Sequence, residues 1–293
     1  MRSDSPDPMK VLKFKQVDVF TRVPFSGNPV AVVLDGAGLS GREMQRIAAW
    51  TNLSETTFVL PPAAPEADYR LRIFTPRAEL PFAGHPTIGS AHAVLEAGIA
   101  KPKEGRLRQE CGAGILDLAV DGEMLWLKAP PAKSAAVGES DIRLLENALG
   151  ARVDGKPCVI DVGPVWVVAD MGGADAVDRL SPDMALVSQF TDSIRATGIT
   201  VFGAASGTQA AIHVRSFAPA HGIPEDPVCG SGNISVAAYL RKAGQAGRFG
   251  ERYVARQGMQ LGRDGKVAIR FDGDNILLGG SAVTCIEGSL RYA

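Results

Sequence analysis

Residues 225 to 233 read Glu225-Asp226-Pro227-Val228-Cys229-Gly230-Ser231-Gly232-Asn233, and seven small or apolar residues follow them in the next eight positions. The glycines and serine predict a tight turn, and the residues after it have the spacing of a buried helix. Such a turn directs free backbone N–H groups and the positive end of a helix dipole at one point. That point is suited to an anion such as a carboxylate. The stretch therefore predicts an anion-binding helix start.

A weaker copy of this stretch lies in the first half of the chain, where residues 83 to 91 read Ala83-Gly84-His85-Pro86-Thr87-Ile88-Gly89-Ser90-Ala91. Aligning Gly84 with Gly230 places His85 on Ser231. The offset is 146 residues, half of the 293 in the chain. The same offset relates four further pairs: Ile88 and Ile234, Ala91 and Ala237, Ala97 and Ala243, Gly98 and Gly244. Matches that stay in register indicate a duplicated domain.

Other residues match in the same order at slightly different offsets. They are Arg72, Phe74 and Pro76 with Arg215, Phe217 and Pro219; Thr56 and Phe58 with Thr200 and Phe202; Pro29, Val32 and Val33 with Pro164, Val167 and Val168. Coincidence among common apolar residues is the alternative explanation.

Many short strand patterns with one buried helix per half predict an α+β fold made of two similar halves. We expect the first half at residues 10–130, completed by 279–293, and the second at 131–278, with residues 1–9 a loose N-terminal tail. The Pro130-Pro131 region up to Gly138 is the best linker candidate. No G-x-G-x-x-G or Walker motif opens a βαβ unit, so a nucleotide-binding fold is not indicated.

The composition is that of a globular protein, with 45% hydrophobic and 22% charged residues. The net charge of -1 gives no electrostatic case for nucleic acid or an anionic membrane as a partner. No apolar run approaches the roughly 18 residues of a membrane span. The four cysteines are scattered, which indicates neither a zinc site nor a disulfide framework and favours a cytoplasmic location.

Glu55, His85, Asp226 and Cys229 are the residues whose side chains could move a proton. Glu55 sits at the mouth of the predicted strand that begins at Thr56, and its duplicate position is the apolar Ile199. Glu55 alone could be a solvated glutamate, and His85 a capping or structural histidine. The unequal halves suggest that a symmetric scaffold carries one base on one side.

Three motifs together give this chain a family resemblance. They are Asn52-Leu53-Ser54-Glu55-Thr56, then Phe82-Ala83-Gly84-His85-Pro86-Thr87-Ile88-Gly89, and then residues 225–232. In this order the chain resembles the PhzF family of phenazine-biosynthesis-like isomerases from about Lys13 onward. Phe20 to Pro29, Arg256-Gln257-Gly258 and Leu261-Gly262-Arg263 also look like that family.

The resemblance implies the diaminopimelate epimerase fold, in which each of two pseudo-symmetric halves wraps a sheet around a central helix and the active site lies in the cleft between them. It implies a homodimer that uses neither metal nor organic cofactor. Glu55 matches the family's proton shuttle, and His85, Asp226 and Ser231 match its substrate-orienting and proton-relay residues. Gly84 and Gly230 match its helix N-termini, and Cys229 and Gly232 complete the expected substrate-binding set.

The resemblance and the chemistry of these residues predict a cofactor-independent isomerase that moves a proton on a small carboxylate-bearing metabolite, similar to trans-2,3-dihydro-3-hydroxyanthranilate isomerase. Burial between the halves would raise the pKa of Glu55. The carbanion-like product would be stabilised by the two helix N-termini, which we expect to face one cleft. Asp226, just before a helix start, should support the site rather than transfer the proton.

Two alternatives are open. Epimerases of this fold use a cysteine in each half, whereas this chain has Ala83 in the first half and Cys229 in the second. A helix N-terminus could lower the pKa of Cys229, which would allow a two-base epimerase or racemase with Glu55; a small buried residue is the other interpretation. A non-catalytic metabolite-binding protein of the same fold is the second alternative.

Overall fold

The computed structural model describes residues 9–207 and 210–292. The expected tail at 1–9 lies outside this range apart from Met9, which is exposed just before the first strand. The α-helices of the described residues are α1 (Gly41–Thr51), α2 (Gly84–Glu96), α3 (Glu139–Leu149), α4 (Ala174–Asp178), α5 (Met184–Ser193) and α6 (Gly230–Lys242). None of these helices combines the length and the apolar character needed to cross a membrane.

The strands, in chain order, are β1 (Lys10–Val19), β2 (Asn28–Val33), β3 (Thr56–Leu60), β4 (Tyr69–Phe74), β5 (Glu79–Leu80), β6 (Arg106–Cys111), β7 (Gly114–Asp121), β8 (Met124–Lys128), β9 (Lys133–Ala136), β10 (Cys158–Asp161), β11 (Val165–Gly173), β12 (Gly198–Ala204), β13 (Ile212–Ala218), β14 (Ile223–Asp226), β15 (Arg252–Gln257), β16 (Gly265–Asp272), β17 (Asn275–Gly280) and β18 (Ala282–Tyr292). Short 3-10 turns lie at Pro219–His221, Ala246–Phe249 and Met259–Leu261.

The chain divides into two compact units. Unit 1 contains the residues up to 25, residues 29–125 and the residues from 281 onward; unit 2 contains residues 26–28 and 126–280. The sequence predicts that the first half ends at residue 130 and the second half at residue 278.

Unit 1 is a sheet with one central helix. β1 pairs with β18 antiparallel, and β2 pairs with β3 parallel. β3 and β4 are antiparallel, β4 and β6 are parallel, and β6 and β7 are antiparallel, with β5 as an antiparallel partner of β4. The buried α2 packs against β1, β3, β4 and β18.

Unit 2 repeats this series of pairings. β11 and β12 are parallel, β12 and β13 antiparallel, β13 and β15 parallel, and β15 and β16 antiparallel, with β14 as an antiparallel partner of β13. β9, β10 and β17 extend the sheet at its ends. α6 packs against β10, β11, β12, β16 and β17. The same order of parallel and antiparallel pairs in both units confirms the predicted α+β fold with pseudo-symmetric halves.

The two central helices occupy the positions that the sequence repeat predicted. Both have 13 residues, and they begin at Gly84 and Gly230 and end at Glu96 and Lys242, so both ends keep the offset of 146. Their small residues allow close packing. A Cβ at Gly89 would lie 2.5 Å from Val30 Cγ1, which no real side chain could accept. The repeat therefore reflects two helices buried within their own sheets.

The expected linker was wrong. β9 lies within the stretch from Pro130 to Gly138 and pairs with β10. β10 and β11 are antiparallel strands joined at Gly163, whose φ of 104° is the left-handed conformation that glycine adopts readily.

The sequence matches in the strands do not share one register. Thr56 pairs with Phe74, whereas Thr200 pairs with Ser216, so the match of Thr56 with Thr200 and that of Phe74 with Phe217 differ by one residue. The strand pairings therefore do not decide which residue of β11 corresponds to Pro29.

Candidate active site

Unit 1 brings Glu55 and His85 into contact. Glu55 lies directly before β3, and its backbone carbonyl accepts a hydrogen bond from the N–H of Ala31 in β2. His85 is the second residue of α2. Glu55 Oε2 lies 3.2 Å from His85 Nε2, and the two side chains are only 14% and 9% exposed. A carboxyl and an imidazole thus share a nearly enclosed position.

Burial raises the pKa of Glu55 from 4.5 to about 7, with a hydrogen bond to Ser54 acting in the opposite direction. The direction is the one expected from the sequence, and its cause is loss of water around the charged form. A group with a pKa near neutrality can both accept and return a proton at that pH. Glu55 therefore has the property required of a proton shuttle.

The start of α2 has no side-chain cap among the described residues. Ala83 occupies the N-cap position and has no polar side chain. The N–H group of Gly84 belongs to the first turn, where no carbonyl of the helix can pair with it, and Pro86 has no N–H. Gly84 can therefore offer a backbone donor at this helix start.

Unit 2 holds Asp226 in a fixed position at the end of β14. Asp226 Oδ1 accepts hydrogen bonds from Asn28 Nδ2, at 3.0 Å, and from the N–H of Val228, at 3.1 Å. Asn28 Nδ2 also donates to the carbonyl of Val228, and Gln257 Nε2 donates to the carbonyl of Asp226, each at 3.0 Å. Donors on a carboxylate oxygen stabilise its charged form. Asp226 is thus an anchored carboxylate.

Cys229 caps α6 through its sulfur. Cys229 Sγ accepts the N–H of Gly232 at 3.2 Å and lies 3.5 Å from Ser231 Oγ. Burial raises the pKa of this thiol well above its usual value, and the nearby Asp226 carboxylate acts in the same direction. The lowered pKa considered for Cys229 was therefore wrong, because desolvation outweighs the helix N-terminus.

Gly230 and Gly232 shape this helix start. Both are buried, and a Cβ at Gly232 would lie 2.7 Å from Ser216 Oγ and 2.8 Å from Thr200 Oγ1. The N–H of Gly232 is already engaged with Cys229. Ser231, between the two glycines, is partly exposed and accepts a hydrogen bond from Trp166 Nε1 at 3.0 Å.

The structure thus gathers the predicted site residues into two clusters. Glu55, His85 and Gly84 form the cluster of unit 1; Asp226, Cys229, Gly230, Ser231 and Gly232 form that of unit 2. Their placement in one cleft stays a prediction. In residues 9–207 and 210–292, no three or more His, Cys, Asp or Glu side chains are grouped as metal ligands.

The sequence did not predict the amide side chains that anchor the second cluster. Asn28 and Gln257 hold Asp226, and Asn233 Nδ2 donates to the carbonyl of Cys229 and to Gln257 Oε1. Asn28 and Gln257 lie in segments that carried the family resemblance, which was the available signal. Trp166 gave no signal, because its contact with Ser231 spans 65 residues.

A protein-family model described as "Phenazine biosynthesis-like protein", PhzC-PhzF, matches residues 17–288. The chain belongs to the PhzC-PhzF family. A Schizosaccharomyces pombe protein named "Antisense-enhancing sequence 1" is 43% identical, with coverage of 94% of this chain and 97% of the relative. Trans-2,3-dihydro-3-hydroxyanthranilate isomerase of Pseudomonas chlororaphis is 34% identical, with coverage of 94% and 97%.

Solved structures agree with the family assignment. The crystal structure of the Bacillus anthracis phenazine biosynthesis protein, PhzF family, superposes with a TM-score of 0.84 at 27% identity, covering 96% of this chain and 99% of that one. Several PhzC-PhzF relatives are named isomerases, including that of Clostridium acetobutylicum at 31% identity. This chain is accordingly an isomerase of the PhzC-PhzF family.

Proposed function

We propose that this protein moves a proton between carbon atoms of a small carboxylate-bearing metabolite, in the manner of trans-2,3-dihydro-3-hydroxyanthranilate isomerase, with Glu55 as the single acid/base and no cofactor. The observation that carries this proposal is the buried Glu55 carboxyl, whose pKa is about 7 and which contacts His85. A proton abstraction at carbon needs a positioned base whose pKa lies near the working pH.

The reaction has two proton transfers that balance. Ionised Glu55 removes a proton from a carbon of the conjugated ring, and the electron pair of that C–H bond moves into the π system as the double bonds shift. The resulting Glu55 carboxylic acid then returns a proton to another carbon of the system. His85 Nε2 lies 3.2 Å from Glu55 Oε2, and we assign it to orient the carboxyl when the substrate is bound.

We assign substrate orientation to the cluster of unit 2. Asp226, anchored as a carboxylate, can accept a hydrogen bond from an amino or hydroxyl group of the substrate. Ser231 and the first-turn N–H of Gly230 are donors suited to the substrate carboxylate, and the N–H of Gly84 can act likewise in unit 1. Cys229 and Gly232 serve this cluster by fixing the helix start.

The two-base alternative requires Cys229 to ionise, and its raised pKa weighs against that. A homodimer in the cytoplasm, which the family resemblance implies, belongs to the same proposal. Sedimentation at equilibrium would give twice the chain mass of 30.8 kDa for a dimer.

The proposal is tested with purified protein and trans-2,3-dihydro-3-hydroxyanthranilate in deuterated water. The expected result is formation of the shifted isomer, with part of the substrate hydrogen retained because one carboxyl both removes and returns it. Full exchange with inversion of configuration at the reacting carbon would indicate two opposed bases. Tight binding of the compound with no conversion would favour the non-catalytic alternative for this ligand.

A further inference from the structure

Ser231 receives a hydrogen bond from a rigid, buried donor. Trp166 lies in β11, is 3% exposed, and donates its indole N–H to Ser231 Oγ at 3.0 Å. The ring has no room to move toward β12, because even a Cβ at Gly198 would lie 2.6 Å from Trp166 Cζ3. The indole nitrogen is a donor only, so the direction of this hydrogen bond is fixed.

The hydrogen bond from Trp166 restricts the direction in which the Ser231 hydroxyl can donate its own hydrogen. A hydroxyl has one hydrogen to donate and two lone pairs that accept. Trp166 uses one lone pair, so the hydroxyl hydrogen must point elsewhere. The neighbouring Cys229 Sγ lies 3.5 Å away, is a weak acceptor, and already receives the N–H of Gly232. An oxygen acceptor from a bound molecule would compete successfully for this hydrogen.

We infer that Trp166 is a positioning residue that occupies one lone pair of Ser231 and turns the hydroxyl hydrogen away from itself, and thereby favours an acceptor oxygen, such as a carboxylate oxygen, at this place on the substrate. The inference rests on the proposed function only in that Ser231 contacts the substrate. It adds a specificity element to unit 2 that has no counterpart in unit 1, because β2, the strand that matches β11, contains no tryptophan.

Trp166→Phe removes the N–H and keeps an aromatic ring. Trp126→Phe is the matched control: Trp126 is 5% exposed, and its Nε1 has no hydrogen-bond partner within the residues that the structure describes. The probe is 3-hydroxyanthranilate, which carries carboxylate, amino and hydroxyl groups on an aromatic ring. Trp166→Phe should weaken its binding about 2- to 10-fold, the usual range for one hydrogen bond, and Trp126→Phe should not.

A double-mutant cycle separates positioning from a merely structural role. Ser231→Ala should weaken binding of the probe, and Trp166→Phe added to Ser231→Ala should cause no further loss. An equal loss in both backgrounds would show that Trp166 acts through the fold, and would overturn the inference. Weakening by Ser231→Ala with none by Trp166→Phe would overturn it as well, while leaving the proposed function intact. If neither Ser231→Ala nor Glu55→Gln changed binding or turnover, the proposed function itself would fail.

The hydrogen bond can be observed without any ligand. The chain has 3 Trp residues, so a ¹H–¹⁵N spectrum shows three indole signals. Trp50 is 80% exposed and should exchange fastest with deuterium. The signal that Trp166→Phe removes should be protected from exchange and should shift in Ser231→Ala. An unshifted signal in Ser231→Ala would contradict the contact on which the inference depends.

Discussion

The starts of α2 and α6 lie at matching positions of the two units and differ in their chemistry. Each helix begins at a glycine and runs for 13 residues inside its own sheet. The start of α2 lies beside Glu55, whose pKa is about 7, whereas the residue that the sequence alignment matches with Glu55 is Ile199, fully buried in β12. The start of α6 carries a neutral capping thiol and an anchored carboxylate instead. The two matching helix starts thus differ in their ionisable neighbours: burial raises the pKa of Glu55 to about 7 and that of Cys229 well above its usual value.

A second duplicated feature is an Arg–Glu pair, which differs between the two units in how deeply it is buried. Arg72 pairs with Glu79 and Arg215 pairs with Glu225, and each arginine also lies over the Phe ring two residues further on. The side chains of the first pair are 24% and 43% exposed; those of the second are 6% and 9% exposed. Arg215 additionally donates to two backbone carbonyls. The same pair is therefore a surface contact in unit 1 and a buried one in unit 2.

The largest expected effect is on turnover. Glu55→Gln keeps the size of the side chain but removes the basic oxygen, so turnover should fall about 10²–10⁴-fold while the probe still binds. Glu55→Asp should retain weak activity, because the carboxylate survives but is withdrawn by about one methylene. Steady-state kinetics give both values, with the exposed Glu66→Gln as the control. Near-normal turnover in Glu55→Gln would show that Glu55 is not the base, and the proposed difference between the two helix starts would be wrong.

The two Arg–Glu pairs should differ in their contribution to the free energy of unfolding. Glu225→Ala leaves the buried Arg215 charge unpaired and should lower the free energy of unfolding by about 3–5 kcal/mol. Glu79→Ala exposes an arginine that already contacts water, and should cost less than about 1 kcal/mol. Urea unfolding of both variants measures the difference. Equal losses would mean that the two pairs do not differ in burial as the structure indicates.

The raised pKa of Glu55 also predicts a stability change with pH. The folded state holds the Glu55 proton up to about pH 7, whereas the unfolded chain releases it near pH 4.5. Glu55 therefore lowers the free energy of unfolding as pH rises from 4.5 to 7. Glu55→Gln should match the wild type near pH 4 and exceed its stability at pH 8 by on the order of 3 kcal/mol. A constant difference between the two proteins across this range would argue against a buried, titrating Glu55.

The smallest expected effect comes from Cys229→Ser. Serine is a good N-cap and does not ionise near neutral pH, so activity should stay within about threefold of the wild type. The kinetics of Cys229→Ser and Glu55→Gln should be compared in the same assay. A loss of turnover of about 10²-fold or more in Cys229→Ser would support the two-base mechanism.

Much of this arrangement could be predicted from the sequence because it is local or repeated. The offset of 146 related the starts of both central helices, and the match of Glu55 with Ile199 indicated that only one half carries this carboxylate. Both inferences depend only on spacing along the chain. The strand matches are less exact, because the matched residues of β3–β4 and of β12–β13 pair one position apart.

The features that could not be predicted depend on how deeply a side chain is buried and on contacts between residues far apart in the chain. A helix N-terminus favours a thiolate, but only the structure shows that Cys229 is buried deeply enough for desolvation to prevail. Asn28 reaches Asp226 across 198 positions, and Trp166 reaches Ser231 across 65. No periodicity encodes such contacts, although they fix the donors and acceptors of the candidate site.

The most direct test of the central claim is a titration of the Glu55 carboxyl by ¹³C NMR in the ligand-free protein. The signal is assigned as the glutamate side-chain carboxyl resonance that Glu55→Gln removes. If Glu55 is a buried base, this resonance should have a titration midpoint near pH 7. A midpoint near 4.5, the ordinary value for glutamate, would contradict the assignment of Glu55 as a buried base that distinguishes one half of the duplicated scaffold from the other.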